Sequence, residues 1–246
     1  MSDHPANATM DLALVTGGAK RVGREIVLGL AKKGYAIGLN YHHSAEEAAQ
    51  LADELEVEGT PVVMLPADLR SPSEIRKIFK QVDKSGFQLK VLVNSAAAMD
   101  RKPLTKVTPK EWDALFDLNL RAAWLCSIQA AERMPEGGVI INISDVGAQR
   151  AWSGFGAYSV SKAALNSLTM VLAQTLAPKI RVNALALGLV MPADSMPEES
   201  WKQLLKRTPL NRPVNLQAIV DTIYFLLENG YITGEIVSVD GGRQLV

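Results

Sequence analysis

Tyr158 and Lys162 stand four residues apart in the run Tyr158-Ser-Val-Ser-Lys162. On a helix that spacing puts both side chains on one face. A phenol with an ordinary pKa near 10 is a poor acid–base catalyst at neutral pH. A neighbouring ammonium favours the phenolate and brings the proton into a useful range. Alone, the pair is far more often surface or packing chemistry. Three companions shift the balance. Asp145 follows the apolar run Ile140-Ile-Asn-Ile-Ser, Asn94 ends Val91-Leu-Val-Asn, and Asn119 lies midway along Pro109–Met134, where an amide could organise water near the lysine. Each has a plainer alternative: a loop cap for Asp145, a strand terminator for Asn94, a solvated helix residue for Asn119. Their occurrence together and in this order points to proton transfer.

A second cluster suits an anion. Thr16-Gly-Gly-Ala-Lys-Arg-Val-Gly23 separates the first apolar run from the first amphipathic stretch. Glycines there let backbone N–H groups approach a pyrophosphate, and the following helix contributes its positive end. Lys20 and Arg21 add cationic side chains. The alternative is a simple strand-to-helix turn. Selection between dinucleotides falls near the end of the second strand, where an acidic residue usually holds the ribose hydroxyls of NAD. Here Asn40 is followed by Tyr41-His42-His43-Ser44. Without a carboxylate to repel a 2′-phosphate, and with Ser44 at a helix start, the expected cofactor is NADP(H). Asn40 as a strand end and Ser44 as a helix cap remain compatible with that expectation.

The elements that must position these residues alternate regularly. Strands are expected at Leu12–Thr16, Tyr35–Asn40, Pro61–Leu65, Leu89–Asn94, Gly138–Ile143, Lys179–Leu185 and Glu235–Val239. Helices are expected at Arg21–Lys33, after Ser44 with Glu47 completing a capping box, at Ser71–Lys84, Pro109–Met134 and Tyr158–Ala177, and as shorter pieces between Pro192 and Leu226. Strands that read as continuous apolar runs are buried on both faces, as in parallel sheets. The expected fold is α/β: a single Rossmann-type domain over residues 10–246, with a doubly wound parallel sheet and a flexible tail at 1–9. Ligands of such sheets bind at the carboxyl ends of the strands, where every motif above falls.

Composition excludes other classes. Lys plus Arg and Asp plus Glu number 26 each, without the basic excess of a nucleic-acid binder. One cysteine, Cys126, forms no intramolecular disulfide, and with three histidines no metal site is expected. No apolar run approaches the roughly 20 residues of a membrane span, and the polar start has no signal core. The expectation is a cytoplasmic protein with a small-molecule substrate, and no nucleic-acid or membrane partner.

After Thr9 the chain resembles the short-chain dehydrogenase/reductase superfamily. The resemblance is carried by Thr16-Gly17…Gly23, Asp68-Leu69, Asn94-Ser-Ala96, Asn119, Tyr158-x-x-x-Lys162, Arg181-Val-Asn183, Gly188 and Asp240-Gly-Gly242. It implies seven parallel strands and, commonly, a homotetramer. It implies that Tyr158 is the general acid, that Lys162 lowers its pKa and binds the nicotinamide ribose, and that Asn119 supports a proton relay. The implied cofactor shell comprises Gly17, Arg21, Val22, Tyr41, His42, His43, Ser44, Asp68, Leu69, Asn94, Ala96, Tyr158, Lys162 and Gly188, with Asp68 at the adenine.

Two departures narrow the resemblance. Arg21 stands where the family loop usually has a glycine, and Asp145 stands in place of the catalytic serine. Both look like the pteridine reductase branch, which includes dihydromonapterin reductases. In that branch the arginine contacts cofactor phosphate and pterin, and the aspartate works with the tyrosine. Implied substrate contacts are Arg21, Met99, Asp145 and Tyr158. Met99 replaces an aromatic residue of the branch, Ala97 a polar one, His43 an arginine and Leu187 a proline. The function expected is NADPH-dependent reduction of a pterin or related C=N or C=C substrate. The alternatives are a ketone or 3-oxoacyl thioester reductase of the same superfamily and a non-catalytic cofactor sensor.

Overall fold

Leu12, Ala13, Leu14 and Val15 are completely buried in the first strand, β1 (Asp11–Thr16). Successive strand side chains point to opposite faces. Ala13 and Val15 accordingly join one apolar layer, while Leu12 and Leu14 join the other. The computed structural model describes residues 10–150, 152 and 154–246. The tail expected over residues 1–9 lies outside them.

The chain runs β1, α1 (Arg21–Lys32), β2 (Ala36–Tyr41), α2 (Ala45–Val57), β3 (Val62–Pro66), α3 (Pro72–Lys84) and β4 (Gln88–Asn94). It continues with α4 (Pro109–Phe116), α5 (Ala122–Arg133), β5 (Gly138–Asp145), α6 (Gly156–Leu176), β6 (Ile180–Leu187), α7 (Glu198–Lys206), α8 (Leu216–Glu228) and β7 (Ile236–Val239). The strands form one parallel sheet in the order β3-β2-β1-β4-β5-β6-β7. Ile26, Val27 and Leu30 of α1, Leu51 and Leu55 of α2, and Ile219 and Ile223 of α8 cover one face. Ile75, Ile78 and Phe79 of α3, Cys126 and Ala130 of α5, and Leu172 of α6 cover the other. This is the doubly wound Rossmann architecture expected. Its strand order reverses between β1 and β4, which opens a crevice at their carboxyl ends. No helix among the described residues is long and apolar enough to cross a membrane.

Three local expectations are corrected. Ser44 precedes α2 but makes no side-chain cap bond, so the capping box is absent there. Glu47 pairs instead with Lys20, Nζ to Oε1 at 2.5 Å. The box forms at α4, where Thr108 and Glu111 cap each other's backbone N–H. The expected seven-turn helix over Pro109–Met134 is interrupted by a π-helical turn, Asp117–Arg121, centred on Asn119. Such turns insert a residue into the helical ladder and are frequent at functional sites. Finally, α6 starts at Gly156, which puts Tyr158 in its first turn.

Candidate active site

Thr16 ends β1 and ties it to β4. Its Oγ1 accepts from the N–H groups of Ser95 (2.9 Å) and Ala96 (3.1 Å) and donates to Val93 O. Gly17 then turns the chain at φ +61°, where an added Cβ would sit 2.9 Å from Ala96 Cα. A Cβ on Gly23 would lie only 2.2 Å from Gly17 O. The turn therefore lies flat against its own helix and against the end of β4. Asn40 lies beneath this turn. It is buried, accepts from Gly17 N–H at 3.2 Å and donates to Leu65 O at 2.9 Å, so its amide pins the loop from below.

A cleft of about 690 Å³ runs along the carboxyl ends of the strands from this turn. That lies within the usual size of small-molecule sites. One end is walled by Gly17, Arg21 and Val22, by Tyr41, His42, His43 and Ser44, and by Asp68, Leu69 and Ala96. The other end holds Asp145, Tyr158, Lys162, Gly188 and Met99. Fifteen of the expected site residues thus share one cavity. Asn94 and Asn119 do not. They line a separate pocket of about 10 Å³ beneath it, together with Thr16 and Lys162, a space on the scale of a single water.

Tyr158 Oη donates to Asp145 Oδ2 at 3.0 Å, and Gly147 N–H donates to Asp145 Oδ1 at 2.6 Å. Lys162 Nζ donates to Ile143 O at 2.8 Å and lies 5.9 Å from the centre of the Tyr158 ring. All three side chains are largely removed from water. Burial pushes the Asp145 carboxyl above its ordinary range, although the Gly147 and Tyr158 hydrogen bonds and the Lys162 charge oppose this. Burial, followed by the Asp145 charge and hydrogen bond, pushes the Tyr158 phenol upward. Burial also brings Lys162 down to about 8, against the opposing pull of Asp145. Burial and Asp145 thus oppose the downward pull that a neighbouring ammonium exerts on a phenol. In the protein alone the carboxylate is the nearer neighbour, and the phenol keeps its proton.

Asn119 borders the small pocket with Lys162. Its side chain accepts from Ala98 N–H (2.8 Å) and donates to Ala98 O (2.9 Å) and Ser161 Oγ (3.0 Å). The amide thus fastens the segment after β4 to α6. Asn94 donates to Asn142 Oδ1 at 2.9 Å and to Ser127 Oγ at 3.2 Å. Its own Oδ1, which is buried, meets no donor among the described residues.

Several cleft residues escaped sequence reasoning. Trp152 covers the turn after Asp145, and a Cβ on Gly147 would approach its ring to 3.0 Å and Asp145 Oδ1 to 2.9 Å. Arg70 lines the cleft and grips Asp68 through two donors at 2.9–3.1 Å, holding that carboxyl below its usual range. The segment after β6 contributes Leu189, Met191, Ala193 and Met196, and α7 contributes Trp201. The position of residues 189–212 after a strand end, together with their Met and Pro content, points to such a cover in the sequence. Nothing in the sequence singled out Trp152 or Arg70.

A strand–glycine turn–helix unit at a β1/β4 switch point, joined to a buried Tyr–Lys–Asp set, defines a dinucleotide-dependent oxidoreductase. Comparisons with known proteins give the family. Residues 17–244 match the family model described as Enoyl-(Acyl carrier protein) reductase. The 3-oxoacyl-[acyl-carrier-protein] reductase FabG of Staphylococcus aureus is 33% identical over 240 residues, covering 95% of this chain and 98% of that protein. Among solved structures, FolM Alternative dihydrofolate reductase 1 from Brucella canis, complexed with NADP, superposes with a TM-score of 0.91. It is 30% identical, over 96% of this chain and 94% of that one. A blue fluorescent protein from a metagenomic library, in complex with NADPH, gives 0.89 at 32% identity, over 96% and 99% of the two chains. The chain belongs to the short-chain dehydrogenase/reductase superfamily.

Proposed function

We propose that this chain is an NADPH-dependent reductase of a pterin or a related flat C=N or C=C substrate. The observation that carries the reading is the 3.0 Å hydrogen bond from Tyr158 to Asp145, a carboxyl in place of the family's catalytic serine. The likeness to the FolM protein supports it. The cofactor fits the cleft. The β1–α1 turn offers close backbone approach, and the end of β2 carries no acidic residue. Arg70, Lys20, His42 and His43 supply cationic or donor side chains there, with Asp68 neutralised by Arg70. Gly17, Arg21, Val22, Tyr41, His42, His43, Ser44, Asp68, Leu69, Ala96 and Gly188 are the proposed cofactor shell, with Asn94 beneath it. When bound, the nicotinamide supplies hydride.

The protein's part is the proton. Tyr158, its phenol protonated, is the source. Transfer leaves negative charge on Oη, which the Lys162 ammonium and the positive end of α6 stabilise. Asp145 lies between Tyr158 and the turn under Trp152 and accepts the hydrogen bond of the phenol. It orients the phenol and presents a second proton site to the substrate. Lys162 Nζ borders the water-sized pocket shared with Asn119 and Asn94, which provides a route for returning the proton. Met99, half-exposed at the rim, offers its thioether to a flat ring.

A second reading is reduction of a 3-oxoacyl thioester, favoured by the 33% identity to the FabG protein. NADPH oxidation measured with dihydrobiopterin, dihydromonapterin, dihydrofolate and an acetoacetyl thioester separates the two. Turnover of the thioester alone would remove the pterin reading. A homotetramer belongs to the same proposal. It is supported by exposed apolar side chains on the outer faces of α5 and α6, namely Trp124, Val160, Met170 and Val171.

A further inference from the structure

Arg21 is the first residue of α1 and has φ +53°, a left-handed conformation that side chains rarely adopt. Its guanidinium does not follow the helix. It crosses to the segment after β6, where Nη2 donates to Pro192 O at 2.9 Å and to Met191 O at 3.4 Å. Nη1 reaches Asp194 Oδ1 at 3.5 Å. The carboxylate of Asp194 is fully exposed, so that pair is weak, and the backbone contacts dominate. Among the described residues, every hydrogen bond tying residues 191–194 to a distant part of the chain comes from Arg21. Met191 and Ala193 of that segment line the same cleft as Gly17 and Val22 of the turn that carries Arg21.

We propose that Arg21 is a positioning residue: a tie by which the cofactor turn holds residues 191–194 closed over the substrate. It sets substrate affinity through that segment, in addition to any charge it presents to phosphate. Among the described residues, the turn and the segment are hydrogen-bonded to each other only through this side chain. Fixing the turn with a dinucleotide therefore fixes the guanidinium, and with it the carbonyls of Met191 and Pro192. The proposal rests on the cleft being the cofactor and substrate site, but not on the substrate being a pterin.

The test is amide hydrogen exchange on the full chain, with and without saturating NADPH, for the wild type, Arg21→Gly and Arg21→Lys. Glycine tolerates the left-handed turn, so the first variant keeps the loop geometry. In the wild type NADPH should slow exchange at residues 191 and 193–196. In Arg21→Gly that protection should disappear while residues 17–23 stay protected, and Arg21→Lys should fall between. With any substrate the enzyme turns over, Arg21→Gly should raise KM about tenfold, as expected for loss of a charged hydrogen-bond pair, with the loss falling on KM rather than kcat. Equal protection of 191–196 in the wild type and Arg21→Gly would overturn the proposal. So would a fall in kcat at unchanged KM. Failure of every pterin to react would remove the substrate reading and leave the exchange result standing.

Discussion

Tyr158, buried, and Asp145, partly buried, are joined by a 3.0 Å hydrogen bond. A carboxylate beside a phenol keeps the phenol protonated, the reverse of what a lysine neighbour does. The site is thus set to hold a proton ready rather than to shed one.

Replacing Asp145 with Asn keeps the shape but removes the carboxyl proton site. Reduction of the accepted substrate should fall by about 10²–10⁴ in kcat, the usual range for a positioned acid or base. NADPH binding, followed by fluorescence titration, should change little. Stability should move in the opposite direction. Burial raises the Asp145 pKa, so the folded state holds the proton more tightly than the unfolded one. The carboxyl therefore costs stability progressively as pH rises through and above its unfolded range. Asp145→Asn should gain in melting temperature relative to wild type as pH goes from 4 to about 7.

Lys162 gives a second pH signature. Burial holds its pKa at about 8, below the ordinary 10.5. The unfolded chain therefore binds more protons between those values, and stability should rise with pH across that window. The ammonium needed to stabilise phenolate is lost over the same range, so kcat should fall as pH rises through about 8. Lys162→Met should abolish turnover while leaving stability at pH 7 equal or higher, by up to about 2–3 kcal/mol. Chemical denaturation at pH 7 and pH 9.5 checks the sign.

Gly23→Ala tests the cofactor turn. The new Cβ would lie 2.2 Å from Gly17 O, a backbone atom that cannot rotate away. The turn must shift, so NADPH affinity should fall at least about tenfold and stability by about 1–3 kcal/mol. Calorimetric titration and a melting curve measure both.

His43→Asp would put a carboxylate at the end of the cleft where cations now gather. It should weaken NADPH by about tenfold or more through like-charge repulsion, and leave NADH affinity unchanged or improved. Paired titrations with the two cofactors give the ratio directly.

The sheet was legible because its strands read as uninterrupted apolar runs, and position after a strand end placed each motif. Spacing put Tyr158 and Lys162 on one face correctly. It could not show that Lys162 Nζ would bond Ile143 O, or that Asp145 would be the phenol's closer charge, because those depend on how deep β5 and α6 bury them. Asn119 was found by its place in a helix, but the π turn around it leaves no periodic signature in the sequence. Asn40 reads in the sequence as a strand end without a carboxylate; its inward bonds to Gly17 and Leu65 depend on the packing of three strands. Trp152 and Arg70 belong to irregular segments, which hydrophobic periodicity does not read.

The most direct test of the account is kcat/KM with NADPH for dihydromonapterin, dihydrobiopterin and dihydrofolate against an acetoacetyl thioester, run with wild type and Asp145→Ser in parallel. The account predicts that wild type prefers a pterin and that Asp145→Ser loses about 10² or more on it, as for removal of a positioned proton donor. A wild type that reduces the thioester and leaves every pterin untouched would contradict it.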